Sequence, residues 1–243
     1  MTTKPVRVVG HRGAAGDAPE NTLASFALAV KQGADAIELD VHPSKDGRLV
    51  VCHDTTVNRT TNGKGEIGQM TVEQLKKLDA GSWGGKAFAG ERLPLLEDVF
   101  DLVPPRMEVN VEIKSDSPAL RDALIGMLRE RELFGRVFVS SFNHECLVRL
   151  KRAEPLVKIG LLYDTKPLRP AEAHGKYGVE PYSLHPHHKL VDRSFVEEAE
   201  RLGLRVYPWT VNDEPRMRAL VELGVSGIIT DFPGKLRGLL DRL

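Results

Sequence analysis

Eight short apolar runs, each followed by a stretch with helical spacing, constrain this chain more than any other feature. The runs centre on Val8, Ala36 to Val41, Val109 to Ile113, Val137 to Ser140, Lys158 to Leu162, Tyr182 to Leu184, Leu204 to Trp209 and Gly227 to Thr230. Helix signals stand between them. Ser117 and Pro118 have the form of an N-cap and first-turn residue, Asn21 reads as the N-cap of the helix after the first run, and Gly224 ends the pattern that includes Arg216 to Leu223. Strand-helix alternation over 243 residues matches the ~250 residues typical of an eight-stranded barrel with helices outside. The fold class expected is therefore α/β, a TIM (β/α)8 barrel, with a doubly wound open sheet as the alternative. Alternation breaks down between His53 and Leu93, where Asn62-Gly63 and Gly84-Gly85 turns flank one short helix beginning at Thr71. Residues 1–243 read as one catalytic domain, with an inserted subregion at about 54–93 after the second strand region and no second core.

The second run carries the chemistry. In a strand, Glu38 and Asp40 share one face and Ile37, Leu39 and Val41 share the other. The same division recurs in the third run, with Val109, Val111 and Ile113 on one face and Asn110, Glu112 and Lys114 on the other. An antiparallel sheet with one wet face would also give this pattern, but the turn-rich hairpins that would join its strands are mostly missing. In a barrel the site lies at the C-terminal strand ends. The residues at or just past those ends are His11 and Arg12, Glu38 and Asp40, His53, Glu112 and Lys114, Trp209 and Asp231. Neighbouring strands run ~4.8 Å apart, so Glu112 is expected beside Glu38 and Asp40.

Two like charges ~4 Å apart repel by about 4 kcal/mol at the effective dielectric near a protein surface. Three carboxylates in one space therefore need positive charge. Arg12 and Lys114 can supply it as a sealed ion-pair network, or a hard divalent cation, Mg²⁺ or Ca²⁺, can sit among the carboxylates and free both side chains for an anion. A cation, two basic side chains and two histidines, His11 and His53, make up the equipment of phosphoryl chemistry. Asp54 and Asn212 read as supports for that group, although Asn212 could instead cap the helix containing Arg216. His185-Pro186-His187-His188 reads as a polar rim, His42 is expected to point opposite to the pocket of His53 or into the adjacent turn and is given no role, and Trp83 and Phe88 read as an ordinary packed loop.

Composition excludes several other functions. Lys plus Arg and Asp plus Glu each total 34, so no net charge draws the chain to nucleic acid or to anionic membrane. Cys52 and Cys146 are the only cysteines and lie far apart, which suits core packing better than a disulfide framework. The first residues lack the apolar run of a signal peptide, and no segment approaches ~18 uninterrupted apolar residues. The expectation is a cytoplasmic protein acting on a small molecule, with no stable membrane insertion.

The quoted residues also carry a resemblance. His11-Arg12-Gly13 with Pro19-Glu20-Asn21-Thr22, then Glu38-Leu39-Asp40-Val41, Val51-Cys52-His53-Asp54, Val111-Glu112-Ile113-Lys114, Trp209-Thr210-Val211-Asn212 and Ile229-Thr230-Asp231 resemble the glycerophosphodiester phosphodiesterase family, in order from near residue 6 to near residue 234. The resemblance implies a TIM barrel and hydrolysis of glycerophosphodiesters, a step of lipid and glycerol metabolism, to an alcohol and glycerol 3-phosphate. It further implies Glu38, Asp40 and Glu112 on a divalent metal and Arg12 and Lys114 on the phosphate. His11 and His53 would be general acid and base, with Trp209 walling the glycerol. The pathway it implies runs through attack of a glycerol hydroxyl on phosphorus and a cyclic phosphate that water opens. Rival readings are a phospholipase D-like enzyme on lysophospholipids and a non-catalytic barrel that binds phosphorylated metabolites.

Overall fold

The computed structural model describes residues 5–165 and 168–243, so the first residues of the leader reading lie outside the described residues. In chain order the elements are β1 (Arg7–Gly10), α1 (Leu23–Lys31), β2 (Ala36–Pro43), β3 (Leu49–Val51), α2 (Val72–Leu75), α3 (Leu96–Leu102), β4 (Glu108–Ile113), α4 (Pro118–Glu130) and β5 (Val137–Ser141). They continue as α5 (His144–Ala153), β6 (Lys158–Tyr163), α6 (Pro170–Lys176), β7 (Ser183–Pro186), α7 (Arg193–Arg201), β8 (Arg205–Val206), α8 (Glu214–Leu223), β9 (Gly227–Thr230) and α9 (Pro233–Leu240).

Parallel pairing runs β8-β7-β6-β5-β4-β2-β1-β9, with β3 paired only to β2 and antiparallel. Backbone bonds from Ser226 N–H to Val206 O and from Ile229 N–H to Pro208 O, both 3.0 Å, join the last two strand regions and close the barrel. The eight barrel strands are the eight expected runs, and the fold is a TIM barrel. Beyond Val206 the eighth run is held by single contacts, among them the parallel bridge between His187 and Trp209.

Side-chain alternation separates two apolar layers. Ile37, Leu39, Val41, Val109, Val111 and Ile113 face outward and pack with the helices in one large core. Val9, Ala36, Phe138, Tyr207 and Ile229 form a smaller cluster that also takes in Tyr182 and Trp209. Within it Phe138 stacks on Tyr207 at 5.5 Å between centroids. The inserted region departs from expectation. Val50, Cys52, Val57, Ile67, Leu75, Ala80, Leu93 and Leu95 make a separate buried cluster, so β3 and the insertion build a satellite core of their own. Their apolar residues sit at irregular spacing, which is why no periodic signal announced it.

Local capping mostly follows the sequence signals. Ser117 caps α4 ahead of Pro118, Thr71 and Gln74 form a capping box on α2, and Gly224 ends α8 at φ +80°. Two caps differ by one residue: Thr22, not Asn21, accepts from Ser25 N–H to cap α1, and Asp213, not Asn212, caps α8. In both places the displaced asparagine is taken by the site. His185 is a larger correction. It is fully buried, with its ring 5.3 Å from that of Tyr207 and 5.8 Å from that of Phe138, and is no part of a rim. Burial lowers its imidazole pKa to about 3, so it is neutral.

Gly160 on β6 makes room for this ring. A Cβ there would lie 2.6 Å from His185 Nε2 and 2.8 Å from Ser183 Oγ. Gly160→Ala should therefore destabilise the protein by about 1–3 kcal/mol, read as a lowered thermal midpoint; an unchanged midpoint would contradict this close approach.

Candidate active site

The site is built from the ends of β1, β2 and β4 and the loops that follow them. Asp40 pairs in register with Glu112, and Glu38 with Asn110. The pairing turns Glu38, Asp40 and Glu112 to the same place, where one oxygen of each lies within 4.8 Å of the others. All three are buried. Burial first, then the charges of Asp40 and Glu112, raises the Glu38 carboxyl well above its ordinary range. Burial and the neighbouring Asp40 likewise push Glu112 up to about 7. Asp40 goes the other way: burial works to raise it, but the charges of Lys114 and Arg12 prevail and bring it to about 2.

Cations reach the trio from two sides. Lys114, just past β4, places Nζ 2.9 Å from Asp40 Oδ1 and 2.5 Å from Glu112 Oε1. Arg12 comes from the loop after β1, which turns sharply: Arg12 has φ +50° and its N–H donates to Glu38 Oε2 at 3.0 Å. The turn requires Gly10, where a Cβ would meet Gly13 O at 2.4 Å. Arg12 Nε lies 3.5 Å from Asp40 Oδ2, while Nη1 donates to Glu20 Oε1 at 2.7 Å. Asn21, left-handed at φ +57°, turns its Nδ2 to donate to Asp40 Oδ2 at 2.8 Å.

Both histidines have a carboxylate partner at Nδ1. His11 Nδ1 is 2.6 Å from Asp231 Oδ1, and Asp231 Oδ2 accepts from Asn212 Nδ2, also at 2.6 Å. Asn212 Oδ1 in turn accepts from Asp231 N–H and Thr230 Oγ1. His53 Nδ1 is 2.7 Å from Asp54 Oδ1. Burial lowers the His53 pKa against the opposing pull of Asp40 and Asp54. With Nδ1 on a carboxylate, each ring is held in one orientation. His42, expected to point away, is buried and bonds the His53 carbonyl at 3.1 Å; having the parity of Glu38 and Asp40 on one strand, it lies on their side of the sheet.

Trp209 is fixed by its indole N–H, which donates to His185 O at 2.7 Å. Its ring meets Phe142 and His187 edge-on at 5.5 and 5.6 Å. Phe142, after β5, is half exposed. Glu20, Asn21 and Arg59 are site neighbours that sequence reasoning missed. The first two stand inside the Pro19 to Thr22 motif, but Asn21 had been given a capping duty; Arg59 lies in the aperiodic insertion and carries no signal.

The donors suit a hard cation. Three buried carboxylates in one place supply only oxygen ligands, and the two side chains that flank them, Arg12 and Lys114, are two cations against three acids.

Residues 11–235 match the glycerophosphoryl diester phosphodiesterase family. The chain belongs to this family. A glycerophosphodiester phosphodiesterase of Caldanaerobacter subterraneus subsp. tengcongensis is 45% identical over 237 residues, covering 96% of this chain and 97% of the relative. One of Bacillus subtilis is 34% identical, covering 94% and 84%. Among solved structures, the Oleispira antarctica phosphodiesterase in complex with the product sn-glycerol-3-phosphate superposes with a TM-score of 0.87 at 32% identity, covering 97% of this chain and 96% of that one. The family match spans every residue described around the mouth, from His11 to Asp231.

Asp231 holds the His11 ring in this family member through one short bond. Asp231→Asn can present an amide N–H to Nδ1 and favour the wrong tautomer, so kcat should fall by about 10²-fold or more. Steady-state kinetics check this, and wild-type kcat in the variant would remove Asp231 from the support of His11.

Proposed function

We propose that this glycerophosphodiester phosphodiesterase hydrolyses its substrates to an alcohol and glycerol 3-phosphate with a divalent cation, Mg²⁺ or Ca²⁺, and two histidines. The whole chain, residues 1–243, acts as one catalytic domain with its inserted subregion at about 54–93. The observation that carries the reading is the pairing of two carboxylate-oriented imidazoles with a buried acidic trio flanked by Arg12 and Lys114. Glu38, Asp40 and Glu112 would hold the cation, which when bound neutralises charge on the phosphate oxygens.

The chain's own groups do the rest. Arg12 and Lys114, drawn from the carboxylates, bind and orient the phosphodiester anion. Trp209 gives the glycerol an apolar wall. His53, whose pKa burial lowers, accepts the proton of the attacking hydroxyl at Nε2. His11 donates a proton from Nε2 to the departing alcohol oxygen as the P–O bond breaks. Where the attacking group is a glycerol hydroxyl, the first product is a cyclic phosphate, and the same two rings, now with exchanged protons, serve its opening by water.

Exhaustive chelation should abolish turnover of a panel of glycerophosphodiesters, and added Mg²⁺ or Ca²⁺ should restore it. Glu112→Gln should weaken binding of the cation, measured by titration calorimetry, with an unchanged circular dichroism spectrum. Full activity after chelation would overturn the metal site. Preference for lysophospholipids across the same panel would favour the phospholipase D-like rival.

His11→Ala and His53→Ala should each cost ~10²- to 10⁴-fold in rate, and the double variant little more than the worse single. The pH-rate profile should be bell-shaped around neutrality. A substrate with an activated leaving group should rescue His11→Ala and not His53→Ala; rescue of His53→Ala alone would reverse the two roles.

A further inference from the structure

The two histidines are backed by unlike groups. Behind His11 stand Asp231 and the neutral amide of Asn212; behind His53 stand Asp54 and a full cation, Arg59, from the inserted region. Arg59 Nε and Nη2 donate to Asp54 Oδ2 and Oδ1 at 2.8 and 2.9 Å. Its Nη1 and Nη2 also donate to Glu20 Oε2 and Oε1, both at 2.8 Å. Glu20 Oε1 accepts in addition from Arg12 Nη1 at 2.7 Å. One guanidinium thus grips two carboxylates in two-point fashion, one behind an imidazole and the other behind a guanidinium at the acidic trio.

We propose that Arg59 is a positioning residue for the reaction, fixing Asp54 behind His53 and Glu20 behind Arg12 so that the proton-transfer and anion-binding halves of the site share one anchor. The inference rests on the roles proposed above for His53 and Arg12. Arg59 acts through the two carboxylates that it holds. Its geometry suits the task, because a planar fork with donors at two edges fixes the angle between two carboxylates, which a lysine ammonium cannot do. Its charge matters as well. Drawing Asp54 toward a guanidinium makes it a weaker acceptor for the imidazolium form of His53. The other charged or titratable groups facing His53 are Asp40 and His42 of β2, Lys114 after β4 and Arg12 after β1. Removing Arg59 takes away the cation behind Asp54 and lets His53 keep its proton to higher pH.

A structural role alone predicts something different. Arg59 is about half exposed, and ion pairs of that exposure contribute little to folding. Arg59→Ala should therefore melt close to wild type while losing about 10- to 100-fold in kcat/KM. The loss should divide between kcat, through His53, and KM, through Arg12. The acid limb of its pH-rate profile should move upward by about 0.5 unit or more. Guanidinium ion, added at millimolar concentration, should fill the vacated space and restore rate with saturation, and Arg59→Lys should restore the limb but only part of kcat. Wild-type kinetics with an unmoved limb would overturn the proposal, as would a loss that follows the melting temperature and ignores guanidinium. Imidazole ¹⁵N spectra give a readout free of turnover: the Nδ1–H tautomer of His53 should dominate in the wild type and become mixed in Arg59→Ala. If the wild type turns over no glycerophosphodiester, the reading of function fails, and an unchanged His53 tautomer in the variant would still overturn the role of Arg59 on its own.

Discussion

Crowding of Glu38, Asp40 and Glu112 at the barrel mouth is the constraint on which the rest of the site depends. Each carboxylate is removed from water, and like charges in a low-dielectric setting repel far more than they would at the surface. The surroundings offset that cost with directed groups. Lys114 bridges Asp40 and Glu112, Arg12 approaches from the opposite loop, Asn21 spends an amide N–H on Asp40, and the Arg12 backbone N–H serves Glu38. Two of these residues hold left-handed backbone conformations rare outside glycine. Local strain in the first loop is thus tied to the same charges.

Below this charged rim the barrel interior is aromatic. Phe138, Tyr182 and Tyr207 lie in mutual contact, with the neutral ring of His185 against them. Phe138 is the register partner of Asn110, which in turn pairs with Glu38, so this aromatic lining begins two strands away from Glu38.

Much of this was legible in the sequence, for identifiable reasons. A period of two within β2 and β4, together with the rule that consecutive strands are neighbours, brings Glu38, Asp40 and Glu112 together before any coordinates are known. Strand ends likewise mark His11, Arg12, His53, Lys114 and Trp209. Other features depend on information outside local pattern. Whether Asn21 caps a helix or turns inward is decided by its backbone angle, and His185 sits in the core because Gly160 on the next strand leaves space for a ring. The side of the sheet that His42 takes follows from its parity with Asp40, whereas its bond to the His53 carbonyl depends on where β3 ends. Arg59 could not have been singled out, since an arginine in an aperiodic segment reads as a solvated side chain until its two carboxylate partners are located.

The short strand β3 also determines how freely the region beyond it can change. Val50 bridges Leu95, and Val51 N–H donates to Pro94 O at 2.8 Å, so the inserted segment leaves and re-enters the barrel at nearly one point. A loop whose ends are already joined can grow at little entropic cost, about 0.6 kcal/mol for each doubling of length. Its satellite core takes in Leu75 of α2 and is shared with β3, apart from the large core in which the barrel helices pack. The segment therefore has the anatomy of a module joined to the eight-stranded frame at one point, and on the role proposed for Arg59 a substitute would serve the reaction only if it presented a cation behind Asp54.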